Sequence, residues 1–234
     1  MTDPTYVLVH GGWGGAWAWR DLCSEFDRRD AKWRTLDLPS SHDLGPGLND
    51  LEADVTAVVS ATNAVEGPLV LVGHSYGGAV VSEAGERVAN LIGEVYLAAL
   101  VPHPGESATD ASRTMRVRTE LDDAMRVDGE LLHLDPELAA SALYGECSSE
   151  TKEWAVARLG TQTISSFRAH RHSSDSGAPR RYVLCGNDRA IDPSLQLMMA
   201  ERCDEFVEIT SDHSPYLSHV EPCANALLTW PRRS

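Results

Sequence analysis

The stretch Leu69-Val70-Leu71-Val72-Gly73-His74-Ser75-Tyr76-Gly77-Gly78-Ala79-Val80-Val81 joins one apolar run to another through a glycine-bounded pentapeptide. Four consecutive apolar residues fit a strand buried on both faces, and the residues from Gly77 onward fit the start of a helix. Ser75 therefore stands where a buried strand turns sharply into a helix. Such a corner strains the serine backbone, lifts Oγ clear of the carboxyl edge of the sheet and turns the following N–H groups toward the same point. Gly73 and Gly77 allow neighbouring chains to approach a turn too tight for a Cβ. A G-x-S-x-G pattern also arises by chance, with the serine acting only as a helix cap, so context decides its meaning.

That context begins near the amino terminus. Tyr6-Val7-Leu8-Val9 reads as another buried strand and ends in His10-Gly11-Gly12-Trp13-Gly14-Gly15. A loop this rich in glycine can bring a backbone N–H against a reacting carbonyl, as an oxyanion hole requires.

Outward from these two points, short apolar runs alternate with helical patterns. A helix is expected from about Ala16 to Arg28, a strand from Trp33 to Leu36, and a helix whose apolar face carries Leu48, Leu51, Val55, Val58, Val59 and Thr62. After Ser75 come a helix from Gly77 to Arg87 and a strand from Val95 to Leu100. The alternation predicts an α/β fold with right-handed crossovers and a mostly parallel central sheet flanked by helices. Beyond Val101-Pro102-His103-Pro104-Gly105 the strand pattern stops. Residues 103–179 are polar, charged and helix-leaning, with turn signals at Asp128-Gly129 and Asp135-Pro136, and read as a helical cap inserted into a core of residues 1–102 and 180–234. The core pattern resumes with a strand from Tyr182 to Leu184, a helix from Pro193 to Arg202, a strand from Phe206 to Ile209 and a closing helix from about Glu221 to Trp230.

The 234 residues, 42% hydrophobic and 24% charged, suffice for one substantial core. A formal charge of -15 opposes binding to nucleic acid or to an anionic membrane surface. No apolar stretch approaches bilayer-spanning length, and Met1-Thr2-Asp3-Pro4 run into a core strand without a basic or hydrophobic leader, from which a cytoplasmic location is expected. The five cysteines, Cys23, Cys147, Cys185, Cys203 and Cys223, are scattered and form no C-x-x-C pair, so neither a disulfide framework nor a zinc site is signalled. Neither cofactor nor metal is expected, and the oligomeric state is not legible.

A serine hydroxyl is a weak nucleophile until an imidazole accepts its proton and a carboxylate orients that imidazole. Tyr182-Val183-Leu184 leads into Cys185-Gly186-Asn187-Asp188, and the next strand leads into Thr210-Ser211-Asp212-His213. Both loops follow the carboxyl ends of strands, where open α/β sheets place their sites. Among nine histidines, His213 occupies the loop after the final strand, and the order Ser, Asp, His singles it out as the base. Asp188 is the expected acid. Asp192, near a helix start, and Asp212, beside the histidine, stay open as alternatives.

Taken together, Val7-Leu8-Val9-His10-Gly11-Gly12 with Trp17 and Trp19 beyond, Gly73 to Gly78, Cys185 to Asp188 and Asp212-His213-Ser214-Pro215-Tyr216 resemble an α/β-hydrolase along essentially the full length. The resemblance is to the small, single-cap branch that holds plant methyl-ester esterases, hydroxynitrile lyases and bacterial esterases. It implies the α/β-hydrolase fold, with Ser75 as nucleophile, His213 as base, Asp188 as acid and the backbone N–H groups of Gly12 and Tyr76 as the oxyanion hole. The implied function is hydrolysis of a small or medium carboxylic ester through an acyl-enzyme, the partner being the small-molecule ester. The hydroxynitrile lyases of this branch carry a threonine and a lysine where this chain has Gly11 and Ser214, a departure that favours the hydrolase. A lyase or cyclisation catalyst using the same pocket, and a ligand-binding protein on the same scaffold, are the rival expectations.

Other residues invite labels that blander readings explain. His10 and His74 are expected to brace loops, Trp17 and Trp19 to enter the core, and Trp13 to form a pocket wall. His170 and His172 lack companion ligands. Arg113, Arg116 and Arg118 are surrounded by acidic residues and are expected to pair locally. Leu143, Tyr144, Trp154 and Phe167 either pack on the sheet or line the acyl pocket.

Overall fold

Strands alternate with helices from the first buried run onward. A computed structural model describes residues 3–42, 49–115 and 117–230; Leu48 and Arg116 lie outside the described residues. The strands are β1 (Thr5–Val9), β2 (Lys32–Thr35), β3 (Leu69–His74), β4 (Leu91–Leu97), β5 (Met125–Asp128), β6 (Leu131–Leu134), β7 (Gln162–Thr163), β8 (Arg180–Cys185) and β9 (Glu205–Ile209). Six of them form a sheet in the order β2-β1-β3-β4-β8-β9, and each neighbouring pair is parallel.

Burial on both faces explains the unbroken apolar runs of β1 and β3. Leu8, Val70, Val72, Leu97 and Val183 point to one side, where Trp19, Leu22, Phe26 and Leu227 cover them. Val7, Val9, Leu69, Leu71 and Tyr182 point to the other, against Val55, Val58, Val80 and Met199. The two-residue alternation divides each central strand between two helical layers. Strands β2 and β9 at the edges are only half-buried.

Strand β4 runs over Leu91–Leu97 instead of the expected Val95 to Leu100. Glu94 hides the pattern: it is 1% exposed, and its carboxylate receives the Tyr96 hydroxyl at 2.8 Å, the Ser176 hydroxyl at 2.6 Å and the Arg180 guanidinium at 3.2 Å. Glu94 and Arg180 are cross-strand neighbours, so β8 likewise begins earlier than its apolar residues suggest. Ala98, at φ +43, closes β4. The helix expected from Ala16 to Arg28 forms as a 3₁₀ turn, Ala16–Trp19, followed by an α-helix, Arg20–Arg28.

The segment between β4 and β8, where a helical cap is expected, departs further from its expected form. It holds short helices, the longest being Pro136–Tyr144 and Ser149–Val156, but also an antiparallel sheet ordered β5-β6-β7. Gly129, at φ +58, makes the turn between β5 and β6 that the Asp128-Gly129 pair signals. These strands are two to four residues long and mostly exposed or half-buried, which leaves no buried alternation for the eye to find.

Two features of the core bear directly on the corner at Ser75. A Cβ on Gly77 would lie 2.5 Å from the carbonyl oxygens of both Val9 and His10, so the helix after Ser75 presses against the end of β1. The helix Leu51–Asn63 buries Asp54 beside Val55 and Val58, and its carboxylate accepts the Ser40 N–H at 2.9 Å, the Ser40 hydroxyl at 2.6 Å and the Tyr76 hydroxyl at 2.7 Å. Desolvation pushes the Asp54 carboxyl up to about 6, against the opposing pull of the Ser40 and Tyr76 hydrogen bonds.

Gly77→Ala is expected to destabilise the fold by about 3 kcal/mol or more in urea unfolding, since rigid backbone blocks the new methyl. A change below about 0.5 kcal/mol would contradict this packing. For Asp54, the folded state holds a proton up to about pH 6, whereas an unperturbed carboxyl releases it near 3.8. The folded state thus binds more protons between those limits, and stability falls as pH rises through them, by ~3 kcal/mol in all. The unfolding free energy of the wild type minus that of Asp54→Asn should decline over this window and then level off; a difference that climbs would contradict a desolvated carboxyl.

Candidate active site

The end of β3 holds Ser75 at φ +52, a conformation that costs a non-glycine residue on the order of 1–3 kcal/mol. Hydrogen bonds keep it there. The Ser75 N–H donates to the Leu97 carbonyl at 3.2 Å, while its own carbonyl accepts the N–H groups of Gly78 and Leu100, both at 3.1 Å. A Cβ on Gly73 would meet the Gly77 carbonyl oxygen at 2.6 Å and Gly78 Cα at 2.8 Å, so the chain doubles back in contact with itself.

The loops after β8 and β9 bring a carboxylate and an imidazole together. His213 Nδ1 donates to Asp188 Oδ2 at 2.7 Å, with both side chains buried. Three more donors converge on the Asp188 carboxylate: Gln196 Nε2 at 2.8 Å and the N–H groups of Ala190 and Ile191 at 2.7 and 3.0 Å. With Nδ1 carrying the proton, Nε2 presents the lone pair. The alternatives to Asp188 are occupied elsewhere. Asp192 caps the helix Pro193–Ala200 through Ser194 N–H at 2.8 Å. Asp212 braces its loop by accepting from Glu146 N–H at 2.9 Å and the Ser218 hydroxyl at 2.6 Å.

Ser75 and His213 line one small cavity of about 20 Å³, together with His74, Tyr144, Ser214 and Tyr216. Among the described residues no direct hydrogen bond joins Ser75 Oγ to the His213 ring. Such contacts are often long before substrate arrives. Ser75 also borders a second cavity of about 390 Å³, walled chiefly by apolar side chains that include Met115, Met125, Leu132, Ile164, Phe167 and Leu195. Trp13 borders both spaces, as its expected role as a pocket wall implies.

Two histidines beside the site serve as braces. His74 Nε2 donates to the His213 carbonyl at 2.9 Å, and the two rings lie 4.6 Å apart. Burial, reinforced by His213, holds the His74 pKa well below its ordinary value, so it stands as a neutral support. His10 Nε2 accepts the Leu38 N–H at 2.9 Å, which leaves Nδ1 as the donor to the Gly11 carbonyl at 2.8 Å. Within the same loop, Trp13 N–H goes to Gln162 Oε1 at 3.2 Å and Gly14 N–H to the Gly11 carbonyl at 3.3 Å. The N–H groups of Gly12 and Tyr76 carry no such commitment among the described residues.

The structure sorts the remaining candidates. Leu143 and Tyr144 face the small cavity; Phe167 packs on Trp13 and Tyr76 at ring distances of 5.7 and 4.7 Å. Trp154 borders neither cavity that Ser75 lines; it meets Trp17 edge to face at 5.4 Å and lies beneath the Arg20 guanidinium at 3.9 Å. Arg118 pairs with Asp123, whereas Arg113 borders the larger cavity. His170 sits 3.6 Å from Asp110, and the His172 N–H is held by Glu83 at 2.9 Å. Glu146, Asp212 and His219 come close enough to suggest a cation, but Glu146 already accepts from Asn187 at 2.6 Å and from Asp212 N–H at 3.1 Å, forming a loop clasp. Gln196, Gln162 and Asp54 escaped notice from sequence. For two of them the signal is a polar residue on an apolar helical face: Asp54 lies one turn from Leu51 and Val58, and Gln196 one turn from Met199 and Ala200, whereas Gln162 carries no such signal.

No helix among the described residues is long and apolar enough to cross a membrane. Along its length the chain is similar to norfluorocurarine synthase 2 of Strychnos sp, 27% identical over 95% of this chain and 93% of that protein. It is also similar to polyneuridine aldehyde esterase of Rauvolfia serpentina, 26% identical over 95% and 94% of the respective chains. In three dimensions it superposes on a pyrethroid hydrolase from Sphingobium faniae JZ-2 with a TM-score of 0.85, at 22% identity over 98% of this chain and 99% of that one, a likeness of fold. Residues 6–226 match the alpha/beta hydrolase family, to which this chain belongs.

Proposed function

We propose that the protein is a serine hydrolase of carboxylic esters, in which Ser75 is the nucleophile, His213 the base, Asp188 the orienting acid and the Gly12 and Tyr76 N–H groups the oxyanion donors. The observation that carries this reading is the buried Asp188–His213 bond, whose imidazole opens on the cavity that Ser75 enters from a positive-φ corner. Names of similar proteins, an esterase and a pyrethroid hydrolase, point the same way.

In this reading Ser75 Oγ adds to the ester carbonyl as His213 Nε2 takes its proton. The oxyanion is held by the two N–H groups, and collapse expels the alcohol with the proton returned by His213. Water then repeats the sequence on the acyl-enzyme and releases the acid. Residues 103–179 act as the cap that selects substrate, over a catalytic core of 1–102 and 180–234, and a cytoplasmic protein is the simplest setting.

The two cavities orient the ester. His213 borders the small space and not the large one, so the alcohol that it protonates belongs in about 20 Å³ and the acyl chain in about 390 Å³ of mostly apolar volume. This favours esters of a short alcohol with a bulky apolar acid. A side chain at Gly11 would collide with Ser75 Cβ and His74 Nδ1, each at 2.9 Å, and Ser214 presents a hydroxyl bonded to Tyr216 at 3.1 Å. Neither position supplies the threonine or ammonium of a cyanide-releasing lyase. The similarity to a protein named a synthase keeps one second reading, a non-hydrolytic reaction in the same pocket.

Ester turnover should fall by at least ~10³-fold in Ser75→Ala and by up to ~10⁴-fold in Asp188→Asn, measured as kcat with both variants folded. Unchanged turnover in Ser75→Ala would overturn the assignment. Across a panel, kcat/KM should rise as the acyl chain lengthens from acetyl to hexanoyl, by up to ~4-fold per methylene. It should fall by at least ~10-fold when a methyl alcohol is replaced by tert-butyl. The opposite ranking would reverse the assignment of the cavities, and no turnover of any ester would favour the non-hydrolytic reading.

A further inference from the structure

Trp13 follows Gly12 with φ +58, a backbone conformation that a bulky residue keeps only when its surroundings enforce it. The turn closed by Gly14 N–H on the Gly11 carbonyl at 3.3 Å frames this residue, and the hydrogen bonds that Trp13 itself makes all go to the segment between β4 and β8. Gln162 Oε1 accepts the Trp13 N–H at 3.2 Å, the Leu132 carbonyl accepts its indole N–H at 3.0 Å, and the Gly160 N–H donates to its carbonyl at 2.8 Å.

Gln162 is fully buried and uses both ends of its amide. Its oxygen also accepts the Ser41 hydroxyl at 2.5 Å, and its nitrogen donates to the hydroxyls of Ser40 and Ser166, each at 2.7 Å. The Ser40 hydroxyl in turn donates to Asp54 Oδ2 at 2.6 Å, and that oxygen also accepts from the Tyr76 hydroxyl at 2.7 Å. An unbroken chain of buried hydrogen bonds therefore runs from the loop that contains Gly12, through one cap residue, to the residue that follows Ser75. Phe167 closes the same circuit by packing on both Trp13 and Tyr76.

We propose that Gln162 is a positioning residue for the oxyanion hole: it fixes Trp13 on one side and, through Ser40 and Asp54, Tyr76 on the other, and so sets the spacing between the Gly12 and Tyr76 N–H groups. This rests on the hydrolase reading above. The cap then contributes to the chemical step as well as to selectivity. Two amide donors on separate loops must match an oxyanion within a few tenths of an ångström, and neither loop alone can guarantee their separation. A fully satisfied buried network supplies that rigidity.

The test compares Gln162→Leu and Tyr76→Phe with the wild type, the second variant keeping the ring and N–H while losing the hydroxyl that bonds Asp54. Each is assayed with an ester from the panel, with a trifluoromethyl ketone that forms a tetrahedral adduct with an oxyanion, and with the matched methyl ketone that binds without reacting. In Gln162→Leu, kcat/KM and affinity for the trifluoromethyl ketone should fall together by ~10–100-fold, while the methyl ketone shifts by less than ~3-fold. Tyr76→Phe should show the same pattern at smaller amplitude. A merely structural role would lower the melting temperature without this split. The proposal is overturned if folded Gln162→Leu keeps both quantities within ~3-fold of the wild type, or if both ketones weaken equally. Should Gln162→Leu not fold, Tyr76→Phe decides by the same criteria. A wild type that turns over no ester removes the hydrolase reading and this inference with it, whereas an active wild type with unaltered variants removes the inference alone.

Discussion

A serine held in a left-handed turn at the end of a buried strand is the constraint around which the molecule is organised. That turn survives because the strand and helix on either side have no room to relax it. Gly73 rests on Gly77 and Gly78, Gly77 rests on the carbonyls of Val9 and His10, and Gly78 rests on the Leu100 carbonyl, which a Cβ would approach to 2.5 Å. The hydrogen bonds of Ser75 to Leu97 and Leu100 bind the corner to the end of β4 and the loop that follows it. Strain at one residue is thus supported by the two strands that flank β3, and the Ser75 hydroxyl gains a fixed position from scaffold packing.

The same logic extends outward through shared residues. His74 precedes the serine and holds the carbonyl of His213, so β3 and the loop that carries the imidazole are joined from behind. Asp188 takes its orientation from Gln196 and two loop N–H groups, which fix the imidazole in turn. On the opposite side, Asp54 and Gln162 connect Tyr76 to Trp13. Each element that brings a side chain to the site is secured to at least one other by a buried polar contact, and the apolar cavities occupy the space that remains.

Much of this was legible in the sequence, for identifiable reasons. Strands β1 and β3 announce themselves because burial on both faces permits only apolar residues, and the glycines around Ser75 follow from the tightness of the turn. Chain order points to His213, whose ring the structure places against Asp188. Asp188, Asp192 and Asp212 could not be separated by composition, because only the folded loops show which carboxylate meets the imidazole ring and which ones cap or brace. The start of β4 was hidden by Glu94, whose charge suggests surface until Tyr96, Ser176 and Arg180 are seen to satisfy it. The β5–β6 hairpin leaves no strand signal in the sequence, because half-exposed strands of four residues carry no apolar face. Gln162 gave no sign at all, lying in a two-residue strand whose partners come from distant parts of the chain.

The central claim is that one hydroxyl, at Ser75, is activated as a nucleophile. Treating the protein with a fluorophosphonate and mapping the product by peptide mass spectrometry tests it most directly. The account predicts a single stoichiometric adduct on Ser75, with none in Ser75→Ala and a much slower reaction in a His213→Ala variant. Labelling spread over other residues, or a wild-type Ser75 that stays unmodified while the protein remains folded, would contradict it.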